Sequence, residues 1–151
     1  MVVKKALSAA AYKKILDSFP IACVDLLVVY GKEFALVKRN HEPLLGELWF
    51  PGGRIFKGET FEKTIKRKLR DEMRIPSGEI QEIKQLTTRE TFFKTSAFGV
   101  STHSINVTFL VGVARKNLDA RGSDGEIFWF TKIGKNVPMY IRSYLKEAGF
   151  R

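Results

Sequence analysis

The sequence predicts one α/β (α+β) domain. Segments whose apolar residues recur at helical spacing are interleaved with segments rich in β-branched residues, and glycine or proline turn signals separate them. The chain has 151 residues, of which 44% are hydrophobic and 28% are charged. This composition supplies enough apolar surface for one core and argues against a disordered chain. We therefore expect residues 1–151 to form a single domain.

The first elements are predicted from amphipathic spacing and apolar runs. A helix over 5–18 ends before Pro20, which disfavours helical conformation in the residue before it. Strands over 21–30 and 33–39 follow, joined by a tight turn at Gly31. The remaining elements are predicted as a helix over 59–74, strands over 80–95, 102–114 and 127–130, and a closing helix over 137–148.

The formal net charge of +10 predicts an anionic partner. Lysines and arginines are spread along the chain and no aromatic-plus-basic signature of an RNA-binding sheet is present, which disfavours nucleic acid as that partner. Asp25 interrupts the longest apolar run, Ile21 to Tyr30, so we expect no membrane partner. The N-terminus lacks the apolar stretch of a signal peptide, and we expect a cytoplasmic protein whose single Cys23 is a buried thiol.

The most informative segment runs from Gly52 to Ile75, GGRIFKGETFEKTIKRKLRDEMRI. Two glycines precede a charged helix with a carboxylate near its start, where the helix dipole favours negative charge. Three apolar residues spaced four apart predict a stripe that docks the helix, namely Phe61, Ile65 and Leu69. The i,i+4 spacing also predicts that Arg67 can meet Asp71 and that Lys68 can meet Glu72.

This segment resembles the Nudix box. That motif runs Gly, five residues, Glu, seven residues, Arg-Glu, an aliphatic residue, any residue, Glu-Glu, any residue, Gly and an aliphatic residue. The positions on this register are Gly53, Glu59, Arg67, Leu69, Glu72 and Ile75, with Asp71 in place of the first Glu of the Glu-Glu pair. The resemblance covers roughly Pro20 to Trp129 and implies the Nudix fold, a mixed β-sheet sandwiched between α-helices, with hydrolase activity.

The resemblance implies a metal centre, with two departures from the motif. Lys68 stands where the family usually has the Glu of Arg-Glu, and Arg74 replaces the usual glycine. Oxygen ligands suit hard cations, and the resemblance puts Mg²⁺ on the Glu72 carboxylate and the Gly52 carbonyl, with Asp71 as a further carboxylate. Because Lys68 would repel a second divalent ion, we expect a single Mg²⁺.

Loss of that Glu is a feature of the GDP-mannose mannosyl hydrolase branch, and the stretch VKRNHEPLLGELWFPGGRIFKGET is similar to the corresponding segment of that branch. In this branch water attacks the sugar carbon, which releases the sugar and a nucleoside diphosphate. The resemblance assigns Arg39 and Arg54 to the leaving diphosphate, as both catalytic and substrate-binding residues, and it implies a homodimer. His41, on the loop after Arg39, is a further candidate for substrate contact.

The general base and the third metal ligand are left open. The branch carries a Gln-His pair ahead of its last strand, where this sequence has Ser123 and Asp124, followed by Gly125 and Glu126. Asp124 or Glu126 could ligate the metal or accept the proton, and His103 is another candidate base.

Three functions are compatible with these residues. The first is hydrolysis of a nucleoside diphosphate sugar at carbon, and the second is a Nudix pyrophosphohydrolase that attacks phosphorus of a nucleoside triphosphate or another nucleoside diphosphate derivative. The third is a weakly active Nudix domain that only binds a nucleotide. The products separate the first two, and absence of magnesium-dependent turnover identifies the third.

Overall fold

The computed structural model describes residues 7–151 and shows a mixed α+β fold. Within this range the helices are Ala9–Ser18 (α1), Phe61–Met73 (α2) and Met139–Glu147 (α3), with a short 3-10 turn at Ser77–Glu79. The strands are Ile21–Tyr30 (β1), Glu33–Arg39 (β2), Leu48–Trp49 (β3), Gly52–Arg54 (β4), Ile80–Phe93 (β5), Thr102–Val113 (β6), Arg121–Gly122 (β7) and Gly125–Phe130 (β8). Residues 5 and 6 of the first predicted helix lie outside the described residues.

All eight strands belong to one mixed sheet. Its order is β5-β6-β1-β2-β8-β7, while β3 pairs with β2 and β4 pairs with β1. The β1–β6 pair is parallel, and the other pairs are antiparallel. This arrangement confirms the predicted mixed sheet.

Two apolar clusters lie on opposite faces of the sheet, because successive side chains of a strand point to opposite sides. Leu26 of β1 packs in the cluster that contains Ile65 and Leu69 of α2. Its neighbour Leu27 packs in the cluster that contains Ile141 of α3. The sheet is therefore sandwiched between α2 and α3, as the resemblance implied.

Helix α2 begins at Phe61, two residues later than predicted, because Thr60 caps it by accepting a hydrogen bond from the Lys63 amide. It ends at Met73, and Arg74 adopts a left-handed conformation with φ 57°, the conformation that favours glycine at a helix end. The predicted apolar stripe holds for Ile65 and Leu69, which are fully buried. It fails for Phe61, which is 42% exposed, although its ring contacts the core residue Phe109 with ring centres 5.4 Å apart.

The predicted bounds of β1 and β2 are confirmed residue for residue. Strands β5 and β6, which were predicted over 80–95 and 102–114, form a long antiparallel pair. The short strands β3, β4 and β7 were not predicted, since two or three residues carry no readable period. Of the described helices, each is too short or too polar to cross a membrane.

Candidate active site

A cavity of about 630 Å³ lies where β1, β4, α2 and the loop before β8 meet. Its lining mixes acidic, basic and aromatic side chains, which is typical of a site for a charged ligand with a ring. Predicted site residues that line it are Arg39, His41, Gly52, Arg54, Asp71, Glu72 and Asp124. His103 and Glu126 do not line it.

One corner of the cavity holds an ion cluster between α2 and the loop before β8. The Nζ atom of Lys68 lies 2.9 Å from Oε1 of Glu72 and 3.3 Å from Oδ2 of Asp124. Lys68 is 8% exposed and Glu72 is 3% exposed. Charges this deeply buried require partners, and here one ammonium group is shared by two carboxylates.

Glu72 is held from its other side by the loop before β8. The Ser123 hydroxyl donates to Oε1 of Glu72 at 2.8 Å, and the Asp124 amide donates to Oε2 at 3.2 Å. A Cβ added at Gly122 would lie 1.9 Å from Oε2 of Glu72. Glycine at this position therefore lets the loop close onto the carboxylate.

Strand pairing carries this loop to the end of β2. Gly125 pairs with Arg39, and the Asn40 amide donates to the carbonyl oxygen of Asp124 at 3.1 Å. Gly125 has a φ of 141°, and a Cβ there would lie 2.0 Å from the carbonyl oxygen of Lys38. Only glycine fits so close a backbone approach, and it brings Asp124 beside residues that lie far away in the sequence.

Asp124 joins the ion cluster to His41. Its Oδ1 lies 3.2 Å from Nε2 of His41, while Nδ1 of His41 lies 3.3 Å from a terminal nitrogen of Arg39. Burial raises the pKa of Asp124, but the charge of Lys68, the hydrogen bond to His41 and the charge of Arg39 together hold that pKa below its ordinary value. Asp124 is thus an ionised carboxylate at neutral pH.

Two of the arginines that line the cavity, Arg39 of β2 and Arg54 of β4, come from different strands. Burial lowers the pKa of Arg39, and its Nε donates to the carbonyl oxygen of Pro43 at 2.6 Å. The guanidinium carbon of Arg54 lies 4.1 Å from the ring centre of Tyr12 and 5.5 Å from that of Phe56. These contacts orient both guanidinium groups, which can then bind a phosphate through several N–H donors.

The carboxylates do not provide the oxygen cage that Mg²⁺ requires. Both oxygens of Glu72 already accept hydrogen bonds, and Oε1 accepts one of them from the Lys68 ammonium group. Asp71 reaches the cavity margin but pairs with Arg70 at 2.9 Å. Within residues 7–151, no three side chains of His, Cys, Asp or Glu are grouped as a metal-binding set. The expected Mg²⁺ on Glu72, Asp71 and the Gly52 carbonyl therefore does not fit the residues present.

Two candidate residues lie elsewhere. Glu126 lies on β8 with its side chain 45% exposed, and its carboxylate pairs with Arg121 at 3.3 Å. His103 stacks on Phe92 with ring centres 4.3 Å apart and lies 3.4 Å from Glu90. Adjacent strand residues point to opposite faces, so Ser104 lines the cavity and His103 does not. The structure therefore supports neither Glu126 as a metal ligand nor His103 as a base.

The predicted pair Lys68–Glu72 forms, whereas Arg67 does not meet Asp71. Arg67 instead donates to both oxygens of Glu59, at 2.7 and 2.9 Å. The Arg67 hydrogen bonds, outweighing burial, lower the pKa of Glu59 to about 2. This pair fastens the start of α2 to the turn before it.

Sequence reasoning missed the oxygen-rich wall of the cavity. Asp25 of β1 accepts a hydrogen bond from the Tyr140 hydroxyl at 3.3 Å, and burial raises the pKa of this carboxyl to about 7. The same lining includes Thr91 and Ser104, whose hydroxyl oxygens are 2.6 Å apart, and the Asn106 amide donates to Thr91 at 2.9 Å. Asp25 was visible only as an interruption of an apolar run, and the other three gave no signal.

Cys23 is half-buried on the cavity wall rather than in the core. Burial, assisted by the negative charge of Asp25, raises the pKa of its thiol to about 12. The thiol is therefore protonated and a poor nucleophile at neutral pH.

Comparison with known proteins identifies the class to which this fold and site belong. The NUDIX domain model matches residues 20–132, and the chain belongs to the Nudix family. A curated relative, the low-salt glycan biosynthesis protein Agl8 of Haloferax volcanii, is 27% identical over 136 residues, which cover 89% of this chain and 85% of the relative.

Solved structures share the fold. A MutT NUDIX hydrolase from Burkholderia pseudomallei matches with a TM-score of 0.64 and 18% identity, over 85% of this chain and 98% of that chain. A bifunctional NMN adenylyltransferase/ADP ribose pyrophosphatase from Francisella tularensis, complexed with AMP and a Mn ion, matches with a TM-score of 0.62 and 20% identity. The match covers 93% of this chain and 46% of that bifunctional chain.

Proposed function

We propose that this Nudix chain hydrolyses a nucleoside diphosphate sugar at the sugar carbon, releasing the sugar and a nucleoside diphosphate. One observation carries the proposal: a single cavity combines cationic side chains with a wall of hydroxyl, amide and carboxyl groups. The lysine and arginines in its lining are Arg39, Arg54, Arg67 and Lys68, of which Arg67 is already paired with Glu59. The first set of groups suits a diphosphate and the second suits a polyhydroxylated ring.

The diphosphate is the part of the substrate that gains negative charge when the bond to the sugar breaks. Arg39 and Arg54 are oriented by their neighbours before any ligand arrives, so they stabilise that charge without reorganising. Lys68 adds a third cation next to the glycine turn, since a Cβ at Gly53 would lie 3.2 Å from its Nζ.

The sugar is assigned to the wall of hydroxyl, amide and carboxyl groups. Asp25, Thr91 and Asn106 offer carboxyl, hydroxyl and amide groups that can exchange hydrogen bonds with sugar hydroxyls. Trp49 and Phe93 also line the cavity, with ring centres 5.9 Å apart. Apolar rings of this kind pack against the C–H face of a sugar or against a nucleobase.

The reaction requires only a weak base. As the anomeric C–O bond breaks, its electron pair passes to the diphosphate oxygen and the sugar develops positive charge, so a water oxygen bonds to that carbon with little activation. We assign the released proton to Asp124, which His41 positions through the 3.2 Å contact. Diphosphate is a good leaving group, so the scheme needs no general acid.

The relative Agl8 supports a sugar nucleotide, because that protein is named for glycan biosynthesis. A second candidate function is nucleotide binding without turnover. The Lys68–Glu72 contact favours this candidate. The Lys68 ammonium group already binds Glu72, the glutamate that the family motif assigns to the metal.

The test is a panel of nucleotide sugars and nucleoside triphosphates incubated in ¹⁸O-labelled water, with products followed by phosphorus NMR and mass spectrometry. We expect label in the free sugar and none in the nucleoside diphosphate. Label in phosphate would instead indicate pyrophosphohydrolase chemistry, and binding without products would indicate the nucleotide-binding candidate.

Two arginine-to-methionine variants test the assignment of the diphosphate to this cavity. Arg54→Met removes a cavity cation, whereas Arg121→Met removes an exposed one whose partner Glu126 lies outside the cavity. We expect Arg54→Met to lower kcat/KM by at least about tenfold and Arg121→Met to leave it unchanged. Equal effects in both variants would contradict the assignment of the diphosphate to this cavity.

A further inference from the structure

The Lys68 ammonium group lies beside Glu72, the carboxylate on which the family resemblance puts a metal ion. It is within hydrogen-bonding distance of one carboxylate on its own helix and one on the loop before β8, Glu72 at 2.9 Å and Asp124 at 3.3 Å. Its side chain also abuts the glycine turn, since a Cβ added at Gly53 would be 3.2 Å from both its Nζ and its Cε. Glu72 and the glycine turn, which the resemblance assigns to a metal, thus lie next to this ammonium group.

We propose that Lys68 is a resident cation that takes the place of the metal, so that this chain binds a nucleoside diphosphate without a divalent ion. The proposal rests on the function proposed above. It concerns the chain's own residues and makes the diphosphate site independent of Mg²⁺ or Mn²⁺.

The hydrogen bonds of the Lys68 ammonium group support this assignment. An ammonium group has three N–H donors, and among residues 7–151 two carboxylates accept from it. One donor is left for a ligand oxygen, and Lys68 lines the cavity. A phosphate oxygen is a suitable acceptor because its charge strengthens the bond.

Charge explains why a metal would not join the cluster. A divalent ion on Glu72 would lie a few ångströms from the Lys68 ammonium group, where like charges repel strongly in a buried site. Oε1 of Glu72 already accepts two hydrogen bonds, from Lys68 and Ser123, so a metal on that oxygen would have to displace one of these donors. Metal binding in this corner is therefore disfavoured while the lysine remains there.

The first experiment uses the unaltered chain. Calorimetric titration with GDP, UDP and ADP is carried out in buffer with EDTA and again with excess MgCl₂. We expect at least one nucleoside diphosphate to bind with dissociation constants that agree within about threefold, less than 1 kcal/mol. Binding that occurs only with MgCl₂ would overturn the inference and leave the proposed function standing. No binding in either buffer would overturn the proposed function and this inference with it.

The second experiment measures metal binding directly by the electron paramagnetic resonance signal of free Mn²⁺, without nucleotide. The unaltered chain is expected to leave the Mn²⁺ signal undiminished. Lys68→Glu adds a carboxylate beside Glu72 and Asp124, and we expect it to bind Mn²⁺ at least about tenfold more tightly. Mn²⁺ binding by the unaltered chain that equals or exceeds that of Lys68→Glu would overturn the inference.

A folding control accompanies the variants. Lys68→Glu brings like charges together, so its melting temperature is measured with and without Mn²⁺, and we expect Mn²⁺ to raise it. Lys68→Arg keeps the charge and is expected to retain nucleotide binding in EDTA, whereas Lys68→Gln is expected to lose about tenfold or more. Equal affinity in Lys68→Gln and the unaltered chain would count against the lysine as the bound cation.

Discussion

The Nζ atom of Lys68 and the Oε1 atom of Glu72 lie 2.9 Å apart, one helical turn from each other, and both side chains are almost fully buried. Removing either partner leaves a buried charge without its closest counterion, which costs about 3 kcal/mol in comparable pairs. We expect Lys68→Met and Glu72→Gln each to lower the free energy of unfolding by about that amount. The double variant is expected to lose clearly less than the sum of the two.

Urea denaturation of the four chains measures this cycle. Strictly additive losses would show that the two side chains do not interact in solution. A third carboxylate takes part in the cluster, so the same cycle is repeated with Asp124→Asn in place of Glu72→Gln. The longer contact of 3.3 Å predicts a smaller coupling there.

Gly122 is predicted to tolerate no side chain. A Cβ there would lie 1.9 Å from Oε2 of Glu72 and 2.6 Å from its Cα atom, so neither a rotamer change nor a small loop movement relieves the overlap. We expect Gly122→Ala to destabilise the chain by about 2 kcal/mol or more.

The matched control is Gly78→Ala, where nothing lies within 4 Å of the added atom. We expect it to change stability by less than about 0.5 kcal/mol. Thermal melts of both variants provide the comparison, and similar melting temperatures would contradict the close packing of the loop on Glu72.

The pair between Glu59 and Arg67 predicts a loss of stability in acid. The folded chain holds the pKa of Glu59 at about 2, below its ordinary value of 4.5, and its side chain is only 7% exposed. A carboxyl whose pKa is depressed by folding contributes stability above its unfolded pKa, and that contribution disappears as the pH falls towards the folded pKa. Glu59→Gln should therefore cost up to about 3 kcal/mol at pH 7 and progressively less between pH 4.5 and 2.

Urea midpoints over that pH range test the Glu59 prediction. The control is Glu62→Gln, which removes a carboxylate from a solvent-exposed pair with Lys66 on the same helix. Exposed pairs of this kind contribute little, so we expect a nearly unchanged midpoint. If the loss of stability in Glu59→Gln did not depend on pH, the electrostatic explanation would be wrong.

Asp25 predicts a dependence of the opposite sign. Burial raises its pKa from an ordinary 3.8 to about 7, partly offset by the Tyr140 hydrogen bond and the charge of Arg39. The folded chain then binds the proton more tightly than the unfolded chain, so stability falls as the pH rises from about 4 to about 7. Asp25→Asn removes this loss and should raise stability above pH 7, by up to about 4 kcal/mol.

The measurement is the melting temperature of Asp25→Asn and the unaltered chain at pH 4 and pH 8. We expect the variant to be the more stable chain at pH 8 and the difference to shrink at pH 4. Asp17→Asn, at an exposed position of α1, serves as the control and should show no such difference. A variant that is less stable at pH 8 would mean that Asp25 is ionised in the folded chain and held by Arg39.

Local sequence patterns determined the main elements of this protein. The limits of β1 and β2 follow from apolar runs broken by Gly31, and the register of α2 follows from Ile65 and Leu69. These features depend on residues close together in the chain, where spacing alone sets which side chains share a face. The motif around Gly53 and Glu59 likewise indicated the Nudix family, which the family model confirms.

Only the tertiary structure decided what the central helix does with its charges. The sequence allowed Lys68 to pair with Glu72, but it could not show that the loop with Ser123 and Asp124, more than fifty residues away, closes over that pair and buries it. It equally could not place Thr91 and Ser104 in the same cavity or send His103 to the other face. Such contacts depend on which strands pair and in what register, and a shift of one residue exchanges the faces. The sequence therefore identified the charged groups, whereas the pairing of β2 with β8 determined which of them come into contact.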